Sequence, residues 1–172
     1  MTETVSYEVT GKTGEIEFRK YPALVLATVD SAGDYSGFNL LFAYITGKNA
    51  ANNTLPMTSP VIKPAKIPMT APVVSDRMTM SFVMPAGKTS DEIPEPLDSK
   101  VRIVPVPGRE VGVITFRGRT GEKEVRAAEE RLLKGLRDAG IETAGEVFLM
   151  RYNPPWIPGF LRHNEVGVEV RR

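Results

Sequence analysis

His163 is the only imidazole in the chain, and there is no cysteine anywhere in it. These two counts settle much of the chemistry before any element is placed. Without thiols there are no disulfides, zinc–thiolate sites, iron–sulfur clusters or cysteine nucleophiles. With one imidazole there is no multi-histidine metal site, and a Ser-His-Asp triad would depend on His163 alone. Its setting, Arg162-His163-Asn164, is polar, which predicts a loop and a hydrogen-bonded or solvated ring. It is nevertheless the one imidazole able to bind iron, so His163 stands as the candidate metal ligand.

Other groups that could do chemistry carry less. Gly11-Lys12-Thr13 and Gly87-Lys88-Thr89 resemble the end of a phosphate loop, but the glycine required five residues earlier is Ser6 in one and Phe82 in the other. Glu15 and Glu17 alternate along a strand, and Glu129 and Glu130 fall on the polar side of a helix; both pairs read as solvated faces rather than acid/base pairs. Met78, Met80, Phe82 and Met84 alternate with Thr79, Ser81 and Val83. This is strand periodicity with a polarisable face, which reads first as core and second as a surface for a flat aromatic ligand.

These groups are positioned by a regular succession of elements. Glu15–Phe18 alternates and Leu24–Val29 is continuously apolar, giving one bent strand or two around Tyr21-Pro22. Phe38–Ile45 follows as a short helix stopped by Gly47. Leu55-Pro-Met-Thr-Ser-Pro-Val61 is echoed by Ile67-Pro-Met-Thr-Ala-Pro-Val73, and the prolines predict edge strands or extended segments. Val101–Val106 and Val111–Arg117 read as strands joined at Pro107-Gly108. Thr120 is the expected cap of a helix from Glu122 to Ala139 that ends at Gly140, and Val147–Arg151 and Val166–Val170 are the last strands. Strand, helix and strands thus occur twice, which predicts two similar halves packed into one sheet or open barrel with two helices outside.

The helices differ. The second sets Val125, Ala128, Leu132, Leu136 and Ala139 on one stripe and its charges elsewhere, an ordinary amphipathic cover. In the first, Phe38, Leu41, Phe42 and Ile45 make the stripe, and Leu40, Ala43 and Tyr44 widen it until only Asn39 and Thr46 stay polar. Such a helix is either deeply buried or touches the core on one side and a ligand or partner on the other.

The whole chain has 172 residues, 41% of them apolar, enough for one α/β core over residues 1–172. Its 22 basic and 21 acidic side chains leave a net charge of +1, so it lacks the electrostatic footprint of a nucleic-acid binder. No run approaches the roughly 18 apolar residues of a membrane span, and the opening MTETVSYEVTG has no basic or hydrophobic leader. The expectation is a soluble, cytoplasmic protein of open oligomeric state.

Five ordered blocks make the chain resemble the SOUL haem-binding family: Gly37-Phe38-x-x-Leu41-x-x-Tyr44-Ile45-x-Gly47, Ile67-Pro-Met-Thr-Ala-Pro-Val73, Ser81-Phe-Val-Met-Pro85, Arg151-Tyr-Asn-Pro-Pro-Trp156 and Arg162-x-Asn164-Glu165-Val166. Tyr7-Glu8-Val9 and Ile16-x-Phe18-Arg19-x-Tyr21 fit as well. The resemblance implies an α+β fold, a distorted β-barrel of two βαββ-like halves with two flanking helices, similar to the effector-binding domains of multidrug-sensing regulators. It implies haem or another tetrapyrrole as ligand, with Phe38, Leu41, Phe42 and Ile45 lining the porphyrin face and Met69, Val111 and Val113 as neighbours. The positions where relatives place basic side chains toward the propionates hold Tyr35 and Ala43. The function implied is non-catalytic binding of a tetrapyrrole for trafficking or buffering. The alternatives are a haem dechelatase, with Tyr44, Glu165 and His163 as nominal proton donors, and an effector-binding module for planar apolar molecules.

Overall fold

The computed structural model describes residues 3–31, 34–51, 54–55, 58–64, 78–85, 87–153 and 157–172. In chain order they form β1 (Glu3–Thr4), β2 (Glu8–Thr13), β3 (Ile16–Tyr21), β4 (Leu24–Ser31), α1 (Asp34–Ile45), β5 (Thr58–Pro64), β6 (Met78–Val83), β7 (Val101–Val106), β8 (Arg109–Arg117), α2 (Glu122–Asp138), β9 (Glu142–Arg151) and β10 (His163–Arg171). Short 3-10 turns stand at Ser90–Glu92 and Gly159–Leu161. The fold is α+β and mostly sheet. It divides into two compact units, one holding β1, β4 to β7 and α1, the other β2, β3, β8 to β10 and α2.

In the first unit the strands neighbour one another in the order β5-β6-β4-β7, with β1 parallel to β5; in the second the order is β9-β10-β8-β3-β2. The internal repeat is therefore real at the level of topology. β4–α1–β5–β6 and β8–α2–β9–β10 are the same succession, and in each the strand that feeds the helix lies between the last strand of its succession and one further partner, β7 or β3. The two βαββ-like halves expected from the sequence are present. The distorted barrel is not confirmed, since the sheet is not closed: among the described residues β2 pairs only with β3, and β7 only with β4. Both carry features of edge strands. β2 is largely exposed and bulged between Val9 and Gly11, and β7 contains Pro105, which has no N–H to donate.

Each unit has its own core beneath its own helix. In the first, Val25, Ala27 and Val29 of β4 pack with Met80 and Phe82 of β6 under Phe38, Leu41, Tyr44 and Ile45. Met80 and Phe82 of the alternating face of β6 are thus core, joined there by Met84. In the second, Ile16, Phe18, Ile114, Val147, Leu149, Val166 and Val168 pack under Val125, Ala128, Leu132 and Leu136 of α2. Burying such side chains contributes about 1.5–3 kcal/mol each.

Several boundaries differ from the sequence reading for local reasons. α2 is preceded by Gly121 rather than capped by Thr120, and no side chain caps it; Ala139 lies past its end and is exposed. β9 begins at Glu142, five residues before the first buried position of the strand, because its first half is exposed and carries no apolar alternation. β10 begins at His163, so the expected loop is strand there, in register with Arg117 of β8. The first proline-flanked repeat provides β5; the second, with Met69, lies outside the described residues. The β2–β3 hairpin turns on Gly14 and Glu15, and Gly14 holds φ 58°, the left-handed conformation that such tight turns require.

Candidate functional site

The helix with surplus apolar residues resolves into two sides. Phe38, Leu41, Tyr44 and Ile45 are buried in the core of the first unit, and Phe38 meets Phe82 edge-on at 5.3 Å. Phe42 is 43% exposed, yet its ring stacks on Phe38 at 5.9 Å with an interplanar angle of 14°. An aromatic face is thus held at the surface by a residue that is itself anchored in the core. Leu40 and Ala43 are half-buried beside it. The end of the helix is closed by local bonds: Thr46 donates its N–H and hydroxyl to the Phe42 carbonyl, and the Lys48 N–H donates to the Ala43 carbonyl. Lys48 follows the helix, and its exposed ammonium lies 3.9 Å from Asp98. Ala43 supplies no charge of its own.

Tyr44 is spoken for. Its hydroxyl donates to the Pro94 carbonyl at 2.6 Å, and burial pushes its pKa up to about 12. At neutral pH it is a phenol engaged inside its own unit, not a free acid or a phenolate ligand.

The second unit holds a polar cluster on the side of its sheet away from α2. Phe18 faces α2, so by strand alternation its neighbour Arg19 leaves on the opposite face, with Glu17 and Tyr21. Arg19 donates from Nη1 and Nη2 to the two carboxylate oxygens of Glu165 at 2.8 and 2.6 Å, from Nε to Glu17 at 2.6 Å and from Nη1 to the Tyr21 hydroxyl at 3.1 Å. Its guanidinium also lies 4.2 Å from the centre of the Tyr7 ring. Glu165 accepts two more bonds, from the hydroxyls of Tyr152 at 2.5 Å and Thr115 at 3.3 Å. Both ions are buried, and each has several partners, the condition under which a buried pair is tolerated. Burial alone would raise the carboxyl pKa, but the bonds from Arg19 and Tyr152 outweigh it and hold Glu165 below the ordinary carboxylate range. Burial, followed by the Glu165 charge, pushes the Tyr152 hydroxyl far above its usual value and keeps it a donor.

His163 adjoins this cluster. Its Nε2 stands 3.8 Å from Glu165, its ring meets Tyr152 edge-on at 5.1 Å, and its side chain is 38% exposed. Val111 and Val113, on β8, are buried on the same face; the place a Cβ on Gly167 would take is 2.9 Å from Val111 and 3.1 Å from both Met150 and Phe148. The structure thus brings Phe38, Leu41, Phe42 and Ile45 together on one helix, and sets Val111, Val113 and His163 in the other unit. Among the described residues no group of three or more His, Asp or Glu side chains is arranged to hold a metal ion. Of the nominal proton donors, Glu165 is ionised and ion-paired, and Tyr44 is committed to Pro94. The sequence reading gave Arg19 and Tyr152 no role. The signal available in the sequence was the alternation of Glu17, Arg19 and Tyr21 opposite Ile16 and Phe18, which sets an acid, a base and a phenol on one face of the strand.

One family description, "SOUL heme-binding protein", matches residues 2–169. No curated protein matches the chain. Among solved structures, the C-terminal domain of EcmrR is similar over 96% of this chain and 98% of its own, at 13% identity and a TM-score of 0.59. A hydrolase from Listeria innocua is similar over 94% of both chains, at 13% identity and a TM-score of 0.60. SAV2435 bound to tetraphenylphosphonium is similar over 92% of this chain and 94% of its own, at 13% identity and a TM-score of 0.51. At such identities the likeness is one of fold.

Proposed function

The chain belongs to the SOUL haem-binding protein family, and on that footing we propose that it binds haem or a related tetrapyrrole reversibly and without catalysis, for trafficking or buffering in the cytoplasm. The family match spans both units, which supports residues 1–172 acting as one domain. The observation that carries the reading is Phe42, an aromatic ring exposed on the helix that buries Phe38, Leu41, Tyr44 and Ile45, and stacked on Phe38. A porphyrin is a flat apolar plate with charged propionates at one edge. Phe42, flanked by Leu40 and Ala43, suits the plate, with Phe38, Leu41 and Ile45 as the rigid floor beneath it; Lys48, paired with Asp98 just past the helix, is the cation next in sequence. Covering about 300 Å² of porphyrin would supply about 7 kcal/mol before association costs, so binding does not depend on a strong iron ligand. His163 is the candidate ligand should iron take one from this chain. No helix among the described residues is long and apolar enough to cross a membrane.

Haemin titrated into the purified chain should give a saturable shift of the Soret band near one equivalent. Phe42→Asp, at an exposed position, should keep the fold by circular dichroism and weaken binding about tenfold or more. An unchanged titration in that variant would remove the site from α1.

A second reading, a binding module for other apolar aromatic molecules, draws on the fold shared with SAV2435, which was solved bound to tetraphenylphosphonium. Competition between that cation and haemin separates the two: displacement at comparable concentration favours the module, and indifference favours tetrapyrrole.

A further inference from the structure

Phe160 and Leu161 are 77% and 57% exposed, more open than any other neighbouring pair of large apolar residues among the described residues of the second unit. They occupy the 3-10 turn Gly159–Leu161 in the connection from β9 to β10. The turn is held, not frayed: the Leu161 N–H donates to the Pro158 carbonyl at 3.0 Å and the Arg162 N–H to the Gly159 carbonyl at 3.1 Å. Arginines surround it. Arg117 ends β8 in register with His163, and the Gly118 N–H donates to the Arg162 carbonyl at 2.9 Å. Arg119 lies so close to the turn that a Cβ on Gly159 would stand 2.6 Å from its Cγ. Arg162 donates from Nε to the Ile157 carbonyl at 2.8 Å. Arg117 and Arg119 are exposed. Of the described carboxylates near this end, Glu124 is exposed and folds back toward Gly121, and Glu165 is buried against Arg19.

We propose that this turn is a docking point for an anionic lipid surface, with Phe160 and Leu161 entering the boundary between headgroups and acyl chains and Arg117, Arg119 and Arg162 set at the level of the lipid phosphates. Charge and size select this occupant. Two exposed apolar side chains are far short of the roughly 800 Å² per partner that a stable protein interface buries, whereas a bilayer rewards a small apolar tip when cations stand around it. The turn is already fixed by its own hydrogen bonds, so little ordering is needed on contact. The inference is independent of tetrapyrrole binding, although a carrier of an apolar cargo would gain from meeting the membranes in which such cargo dissolves.

The test is co-sedimentation of the full chain, without haemin, with vesicles of phosphatidylcholine alone and of phosphatidylcholine mixed with phosphatidylglycerol. The chain should pellet with the mixed vesicles, pellet less with the neutral ones, and be released by added salt. Phe160→Ser combined with Leu161→Ser should weaken partitioning about tenfold or more, and Arg119→Gln a few-fold. Circular dichroism of each variant should match the parent, since these side chains are exposed. Absence of the parent chain from the mixed-vesicle pellet overturns the proposal, as does undiminished pelleting of the double serine variant. A concentration-dependent self-association that the double variant abolishes, without vesicle binding, assigns the turn to a protein contact and also overturns it.

Discussion

Arg19 and Glu165 are 146 residues apart in sequence and meet in a buried two-bond ion pair, at 2.8 and 2.6 Å, on the face of the second unit's sheet away from α2. The pair links β3 to β10 across β8, and Tyr152 on the far side makes a third contact to the same carboxylate. Replacing Glu165 by Gln removes the charge and leaves the guanidinium with Glu17 and Tyr21. Breaking a buried pair in this way costs about 3–5 kcal/mol, and Glu17 should keep the loss near the lower end. Urea unfolding would read it as a lower midpoint with little change in slope. The pH dependence follows from the sign of the shift. The folded pKa of Glu165 is depressed, so its contribution is complete above the ordinary carboxylate value and is lost as pH falls below about 4 toward the folded value. Thermal stability of the parent should therefore fall more steeply in that acid window than that of E165Q.

Tyr44→Phe separates the core from the ligand site. The change deletes the hydroxyl that donates to the Pro94 carbonyl, at a cost of about 1 kcal/mol, and leaves Phe42 and Phe38 where they are. Haemin affinity should be unchanged. The folded pKa is raised to about 12, so the contribution of Tyr44 is full below about pH 10 and is lost as pH rises through about 12; Y44F should lose stability less steeply there. A weakened haemin titration in Y44F would show that the hydroxyl reaches the ligand after all.

Gly167 is enclosed on three sides by Val111, Met150 and Phe148. Met150 and Phe148 could each give a few tenths of an ångström, but the methyl of Val111 at 2.9 Å sits on a stiff branched side chain. Gly167→Ala should therefore lower stability by about 1–3 kcal/mol, measured by urea denaturation, despite adding only one carbon.

His163→Ala tests iron ligation apart from apolar burial. If His163 supplies the axial ligand, the Soret maximum of the haemin complex moves in H163A, and the affinity falls less than in Phe42→Asp. An unmoved maximum removes His163 as a ligand. The substitution also empties one edge of the Tyr152 ring without touching the Arg19–Glu165 bonds, so the fold should persist.

The sequence was most informative where a period fixed a face. Met80 and Phe82 alternate, and Val125, Ala128, Leu132 and Leu136 recur at helical spacing; these positions are core because each set lines one apolar face of its element. The duplicated succession was legible for the same reason. It was least informative where burial came from a partner distant in sequence. Nothing within ten residues of Arg19 announces Glu165, and a pairing across that span is set by β3 and β10 both flanking β8. The strand start at His163 was hidden similarly: its polar neighbours describe a loop, whereas Asn164 is buried and donates its side-chain amide to the Gly118 carbonyl at 2.8 Å. Phe42 was half legible. The width of the apolar stripe announced a surplus, but only packing shows which ring is left outside.

The order of strands has a consequence for synthesis on the ribosome. The first unit draws α1 and nearly all of β4 to β7 from residues 23–63 and 68–107, whereas the second takes β2 and β3 from residues 6–22 and β8, α2, β9 and β10 from residue 108 onward. A chain emerging from its N-terminus can assemble the first core while the β2–β3 hairpin still lacks its main partner. Arg19 is then carried through most of translation before Glu165 is made. The second core can close only once β10 has been made, and β10 brings Arg19 the second carboxylate to join Glu17.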